Sequence, residues 1–163
     1  MTTSFKLLGA ALVLASSMLM GFYLSYRLKR RLKLLNALCE LMSSLCTGVR
    51  YSRENVITLV RRSSPRLILD VLPDENNPRT FLQKTVESLK SSFYLTDNDE
   101  SLLTDFFSKL GSTDTDGQLE HINLYKISFK TAYDNSLEEY KTKSRLYKAL
   151  GFFVGASIAL MIL

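Results

Sequence analysis

Residues 6–33 read KLLGAALVLASSMLMGFYLSYRLKRRLK. From Leu7 to Tyr26 no residue is charged, which is about the 20 residues that a helix needs to cross roughly 30 Å of hydrocarbon. A secretory signal peptide competes with that reading, because Lys6 could be its positive flank and Ala15, Ser16 and Ser17 are small. The apolar run, however, continues to Leu24 and then meets Arg27, Lys29, Arg30, Arg31 and Lys33, a stop-transfer flank. The segment is therefore read as a retained transmembrane helix over 1–26, with Tyr23 and Tyr26 at the interface.

The other end of the chain has the same character. Residues 149–163 carry no charge, and at 1.5 Å per residue they span about 22 Å, short of the full hydrocarbon thickness. Leu146 and Tyr147 lengthen the segment, and Lys148 can lay its stem along apolar surface while its ammonium reaches the headgroups. A buried soluble helix would carry a polar face, whereas this run has only Ser157, so a second transmembrane helix is expected over 149–163. Lys141, Lys143, Arg145 and Lys148 precede it, and only Lys6 lies on the opposite flank. Basic flanks stay in the cytoplasm, which predicts two passes with residues 27–148 as a central cytoplasmic domain.

That domain reads as all-α. Leu28, Leu35, Met42 and Val49 recur every seven residues, with Leu32, Cys39 and Cys46 four later, so a heptad seam should leave the membrane without a break and end near Gly48. Cys39 and Cys46 would lie about 10 Å apart on that helix, too far for a disulfide, and read as core residues. Ser52 is expected to cap a helix through Arg62. Ser64-Pro65 and Asn77-Pro78 each place a cap before a proline at the first helical position. A helix from about Thr96 has acids in its first turn and a stop at Gly111. Thr115 with Gln118 fits a capping box, and Ile122, Tyr125, Phe129, Tyr133, Leu137 and Tyr140 trace the apolar stripe of a last helix that runs on into the membrane.

Chemistry is scarce. The chain has one histidine, two cysteines and no Trp, and it lacks a glycine-rich phosphate loop, a nucleophile elbow or a metal-ligand spacing. No enzyme, cofactor or metal is expected. Charge is segregated: ten basic and two acidic residues lie between Arg27 and Arg66, against six and fourteen between Leu67 and Tyr140. The basic stretch flanks a membrane helix and lacks interleaved aromatics, so anionic lipid, not nucleic acid, is its expected neighbour. Ser17 and Gly21 in the first span, and Gly151, Gly155 and Ala159 in the second, form small-residue strips that would let helices approach closely in lipid.

Four stretches carry a family resemblance: KLLGA at Lys6–Ala10, Gly21-Phe22, FFSKLGSTDTDGQLEHI at Phe106–Ile122 and KALGFF at Lys148–Phe153. In that order they resemble stage III sporulation protein AB, most specifically at Leu110-Gly111, Asp114, Gln118 and His121-Ile122. The chain departs from the family's acidic stretch and turn after the first long helix, with Met42, Ser43 and Ser44 and then Val49, Arg50 and Tyr51. The resemblance implies a cytoplasmic helical bundle similar to the domain of the type II secretion F protein. It implies a protein of the cell membrane, on the mother-cell side in the outer forespore membrane, within the channel complex joining mother cell and forespore. The implied partners are the sporulation stage III AA ATPase and the other AA-to-AH membrane proteins, with a homo-oligomer left open. Two function classes follow: a non-enzymatic platform that couples the ATPase to membrane subunits, or a membrane-tethered adaptor that recruits a soluble partner. The turn holding Gly111, Asp114, Gln118 and His121 is the expected partner interface, at the membrane-distal tip of the domain, with helix capping as its competing role.

Overall fold

Six helices make up a computed structural model of the chain, which describes residues 2–51 and 55–162. They are α1 (Thr2–Tyr51), α2 (Val56–Ser63), α3 (Arg66–Leu69), α4 (Pro78–Ser92), α5 (Asp97–Lys109) and α6 (Thr115–Ile162); no strand occurs among the described residues. The all-α expectation holds. The helix expected to end near Gly48 continues to Tyr51. Gly48 is there for proximity instead of termination, since a Cβ on it would collide with the Leu59 side chain of α2.

Local chemistry explains most helix ends. Asn77 accepts hydrogen bonds from Arg79 N (3.1 Å) and Thr80 N (3.5 Å), with Pro78 at the first helical position. Thr96 and Asp99 form a reciprocal capping box at the start of α5. Gly111, at φ 83°, follows the end of α5 in the left-handed conformation that glycine adopts without strain. Three expected caps are revised. Asn55 caps α2 by accepting from Ile57 N, and Ser52 lies outside the described residues. Ser64 does not cap α3: Pro65 occupies the cap position, and the buried Ser64 hydroxyl makes no hydrogen bond. Gln118 does not close a box with Thr115, because its side chain bonds backward into the preceding turn.

The described chain divides into two units, Met1–Lys29 with Ser136–Leu163, and Arg30–Asn135. Composition places boundaries at Tyr26 and Lys148, where uncharged runs stop.

In the unit Arg30–Asn135, Leu34, Leu35, Leu38, Leu41, Met42 and Leu45 of α1 are fully buried. They share one core with Val60, Ile68, Phe81, Leu89, Phe106, Phe107, Ile122 and Phe129 from α2 to α6. Between Lys33 and Thr47 the exposed stripe is Lys33, Asn36, Glu40, Ser43, Ser44 and Thr47. Cys39 and Cys46 are free thiols at the core's edge, partly buried, and burial pushes both thiols up from their ordinary range.

One ion pair reaches from α1 into this core region. Arg31 donates from Nε to Asp99 Oδ2 at 2.6 Å and from Nη2 to Oδ1 at 3.2 Å, with the Asp99 side chain only 1% exposed. Burial raises the Asp99 pKa, but the hydrogen bonds from Arg31 and Thr96 outweigh it and hold the carboxyl below its ordinary value.

The unit Met1–Lys29 with Ser136–Leu163 is a pair of helical segments. Leu7, Leu8, Leu12, Leu19, Met20 and Phe22 of α1 point outward, as do Phe152, Phe153, Val154, Ile158, Leu160 and Met161 of α6. Among the described residues, α1 contains a segment long and apolar enough to cross a membrane.

A depressed carboxylate contributes stability above its unfolded pKa, near 4, and loses it as pH falls through the folded value. Asp99→Asn should therefore lower unfolding stability at neutral pH by about 2 kcal/mol, since it replaces a charge-assisted, bidentate pair with a neutral amide. As pH falls from the unfolded value through the depressed folded one, the difference from wild type should shrink. Urea unfolding of the detergent-solubilised chain against pH checks both; equal stability at pH 7 would remove the pair from the fold's supports.

Candidate interaction sites

The turn between α5 and α6 is fastened from both sides. Gly111 N donates to Gln118 Oε1 at 3.1 Å, and Gln118 Nε2 donates to Thr113 Oγ1 at 3.1 Å. Gln118 is buried although it is an uncharged amide near a helix start, because both ends of that amide are satisfied inside the turn. Asp114 Oδ1 accepts from Gly117 N at 3.2 Å, a cap on the positive end of α6. Gly111 also lies against Val56: a Cβ there would come within 2.7 Å of Val56 Cγ2.

His121 belongs to the same construction. Its Nε2 lies 3.1 Å from the Phe106 carbonyl oxygen, which can only accept, so Nε2 carries the hydrogen. The ring stacks on Phe106 with centroids 5.4 Å apart and planes 5° from parallel, and it contacts Tyr125 at 4.7 Å. His121 thus ties α6 to the last turns of α5 through an aromatic cluster that continues to Phe107 and Phe129. Gly111, Asp114, Gln118 and His121 come together as a sequence reading expects, but three of the four direct their polar groups inward. The surface they leave is Ser112, Thr113, Asp114, Thr115 and Asp116, all exposed, with hydroxyls and two carboxylates.

The small residues meet in the helix pair. Gly21 and Gly151 approach so closely that a Cβ on Gly21 would lie 2.5 Å from the Tyr147 carbonyl oxygen, and one on Gly151 2.8 Å from that of Ser17. Ser17 Oγ donates to the Gly151 carbonyl at 2.6 Å. A Cβ on Gly155 would meet Ser17 and Leu14, and Ala159 is buried. Ser25 and Ser144 exchange a buried hydrogen bond at 2.6 Å. The seam is therefore small and hydroxyl-lined, with large apolar side chains turned outward, the packing that favours helix association in lipid.

Two positions escape the sequence reading. Asp99 was visible only as an acid in a first helical turn, although Thr96-x-x-Asp99 has capping-box spacing. Arg31 reads as one of five flanking cations, and nothing local marks it as the partner of a residue 68 positions away. Among the described residues no three His, Cys, Asp or Glu side chains gather as a metal site.

By fold this is an all-helical protein with an apolar helix of membrane-crossing length and a separate helical core. It belongs to the stage III sporulation protein AB family, whose sequence model matches residues 6–163. No curated relative and no solved structure matches the chain.

Two graded outcomes test these sites. Gly111→Ala should cost roughly 1–3 kcal/mol, from the positive φ and the Val56 collision, whereas Asp114→Asn should cost less than about 1 kcal/mol, because asparagine still caps. Thermal unfolding of both variants decides the order. For the helix pair, Ser25→Cys with Ser144→Cys should form a disulfide in isolated membranes, seen as a mobility shift lost on reduction. Adding Gly21→Leu should abolish most of it; undiminished bridging would mean that the glycines do not set the approach.

Proposed function

We propose that this chain is a non-enzymatic platform in the sporulation channel complex between mother cell and forespore. In this reading α1 and the end of α6 cross the membrane, and the unit Arg30–Asn135 faces the mother-cell cytoplasm from the outer forespore membrane. There it binds the stage III AA ATPase and passes conformational change to the other AA-to-AH membrane proteins. The observation that carries the reading is the helix pair, with small residues and hydroxyls between the helices and large apolar side chains outside, an arrangement suited to lipid. Family membership supplies the sporulation setting. The likeness of the helical unit to the type II secretion F domain, and the ATPase as partner, rest on the motifs quoted from the sequence. The two helices that form the pair, α1 and α6, also contribute residues to the helical unit, as a part that transmits motion would require.

The surface offered to an ATPase is the exposed hydroxyl and carboxylate rim from Ser112 to Asp116 or the acidic face of α5, where Asp97 and Asp105 are exposed. His121 and Gln118 then act as positioning residues, holding the rim through the Phe106 carbonyl and Gly111 N.

Topology and partnership are tested together. Asn76→Cys, with Cys39 and Cys46 replaced by Ala, should escape a membrane-impermeant maleimide in intact sporulating cells and react after lysis. Mild-detergent purification of the tagged full chain should recover the ATPase, and Asp116→Asn, or Asp114→Asn beyond its small cap cost, should reduce that recovery in a chain that still melts cooperatively. Labelling without lysis would reverse the orientation. Recovery of a different soluble protein, without the ATPase, would favour the adaptor.

A further inference from the structure

Within the unit Arg30–Asn135, α4 and α5 pack side by side and leave an open groove of about 520 Å³ between them. Its floor is apolar: Leu82, Val86 and Phe107. One wall is the α4 ridge Arg79, Gln83 and Glu87, four residues apart, with Lys90 beyond Glu87 paired to Glu100 of α5 at 3.5 Å, and the other carries Thr104 and Ser108 of α5. Arg79 and Glu87 sit about 12 Å apart at opposite ends of their ridge, and neither has an ion-pair partner among the described residues.

The same unit exposes an apolar ridge elsewhere. Leu124 and Ile127 of α6 are 62% and 68% exposed, although the helix buries Ile122 and Phe129 on its other side. Glu120, Leu124, Ile127 and Thr131 share one face at helical spacing, with Glu120 at its N-terminal end and Lys130 beside its C-terminal end, about 15 Å apart. Lys130 pairs with Asp134 at 2.8 Å, but both side chains are more than half exposed, and such a surface pair is easily exchanged.

We infer that the α4–α5 groove of one copy receives the Leu124–Ile127 ridge of a second copy. With α6 laid parallel to α4, Glu120 meets Arg79 at one end and Lys130 reaches Glu87 at the other, while the two aliphatic side chains enter the apolar floor. The order of charge along the ridge, acid then base, complements the order of the two groove charges that lack an ion-pair partner among the described residues, Arg79 then Glu87, over similar lengths, while Lys90 at the end of the groove is offset by Glu100. Groove and ridge are different patches of the same chain, so each copy offers one of each. The contact is head-to-tail and propagates into a ring or row of copies in the membrane plane. Recognition is of the helix-in-groove kind, read through residues four and three apart.

The test uses the full chain in membranes. A benzoyl-phenylalanine photocrosslinker replaces Gln83, and light and heavy-isotope copies are coexpressed. The expected product joins position 83 to a peptide spanning Leu124–Lys130 of the other isotope form. Arg79→Glu or Glu120→Arg alone should lower its yield by about 3- to 5-fold, the worth of one exposed interfacial ion pair, and the two together in every copy should restore it. No crosslink between copies, a crosslink to another segment or to another protein, or equal yields in all charge variants would overturn the assignment. The probe at Gln83 in the otherwise unchanged chain keeps the test valid if a charge variant misfolds, which circular dichroism would show.

Discussion

The helical core depends on one constraint: the stretch Leu34–Leu45 of α1 has more apolar surface than a single neighbouring helix can cover. On a helical projection its fully buried residues, Leu34, Leu35, Leu38, Leu41, Met42 and Leu45, occupy an arc of about 120°, and the partly buried Cys39 and Cys46 widen it. A two-stranded seam covers a narrower stripe. The arc is satisfied because residues from all five later helices enter the same core, short helices such as α2 and α3 included. Truncation there is costly in proportion, with Leu→Ala in comparable cores worth about 2–5 kcal/mol.

This constraint explains what the sequence could and could not disclose. The heptad reading of Leu35, Met42, Leu32, Cys39 and Cys46 follows one side of the arc, and Leu34, Leu38, Leu41 and Leu45 make up the other. Both stripes are printed in the sequence, but choosing one made a central helix look like half of a coiled coil. Caps were legible where one short side chain meets a nearby N–H, as at Asn77 and Thr96. They failed where tertiary packing decided: Ser64 is buried without a partner, and Gln118 is drawn toward Gly111 and away from Thr115. The small-residue strips were visible from spacing, whereas the pairing of Ser25 with Ser144, 119 positions away, was not.

In the α5–α6 turn the residues of the most specific motif also have structural work. Gly111, Gln118 and His121 each satisfy a geometric demand: a positive φ, a buried amide with both ends paired, and a ring that stacks on Phe106 while bonding its carbonyl. Removing any one leaves a buried polar group unpaired or a strained backbone, at about 1–3 kcal/mol each. Such residues hold a surface in shape, and the carboxylates and hydroxyls around them are what a partner could touch.

The basic flank of α1 has a similar double use. Counted along the sequence, Arg27, Lys29, Arg30, Arg31 and Lys33 read as five equivalent cations of the kind that would keep a membrane helix's flank in the cytoplasm. In the folded chain Arg31 is committed to the buried Asp99, and Arg30 lies 5.0 Å from the Phe93 ring centroid. Lys29 and Lys33 remain exposed. Neutralising the whole flank would therefore disturb the helical core as well as the orientation signal, and the two effects would be confused. Changing Lys29 and Lys33 alone separates them, because the exposed lysines would bear only on orientation while Arg30 and Arg31 still hold α1 against the end of α4 and the start of α5.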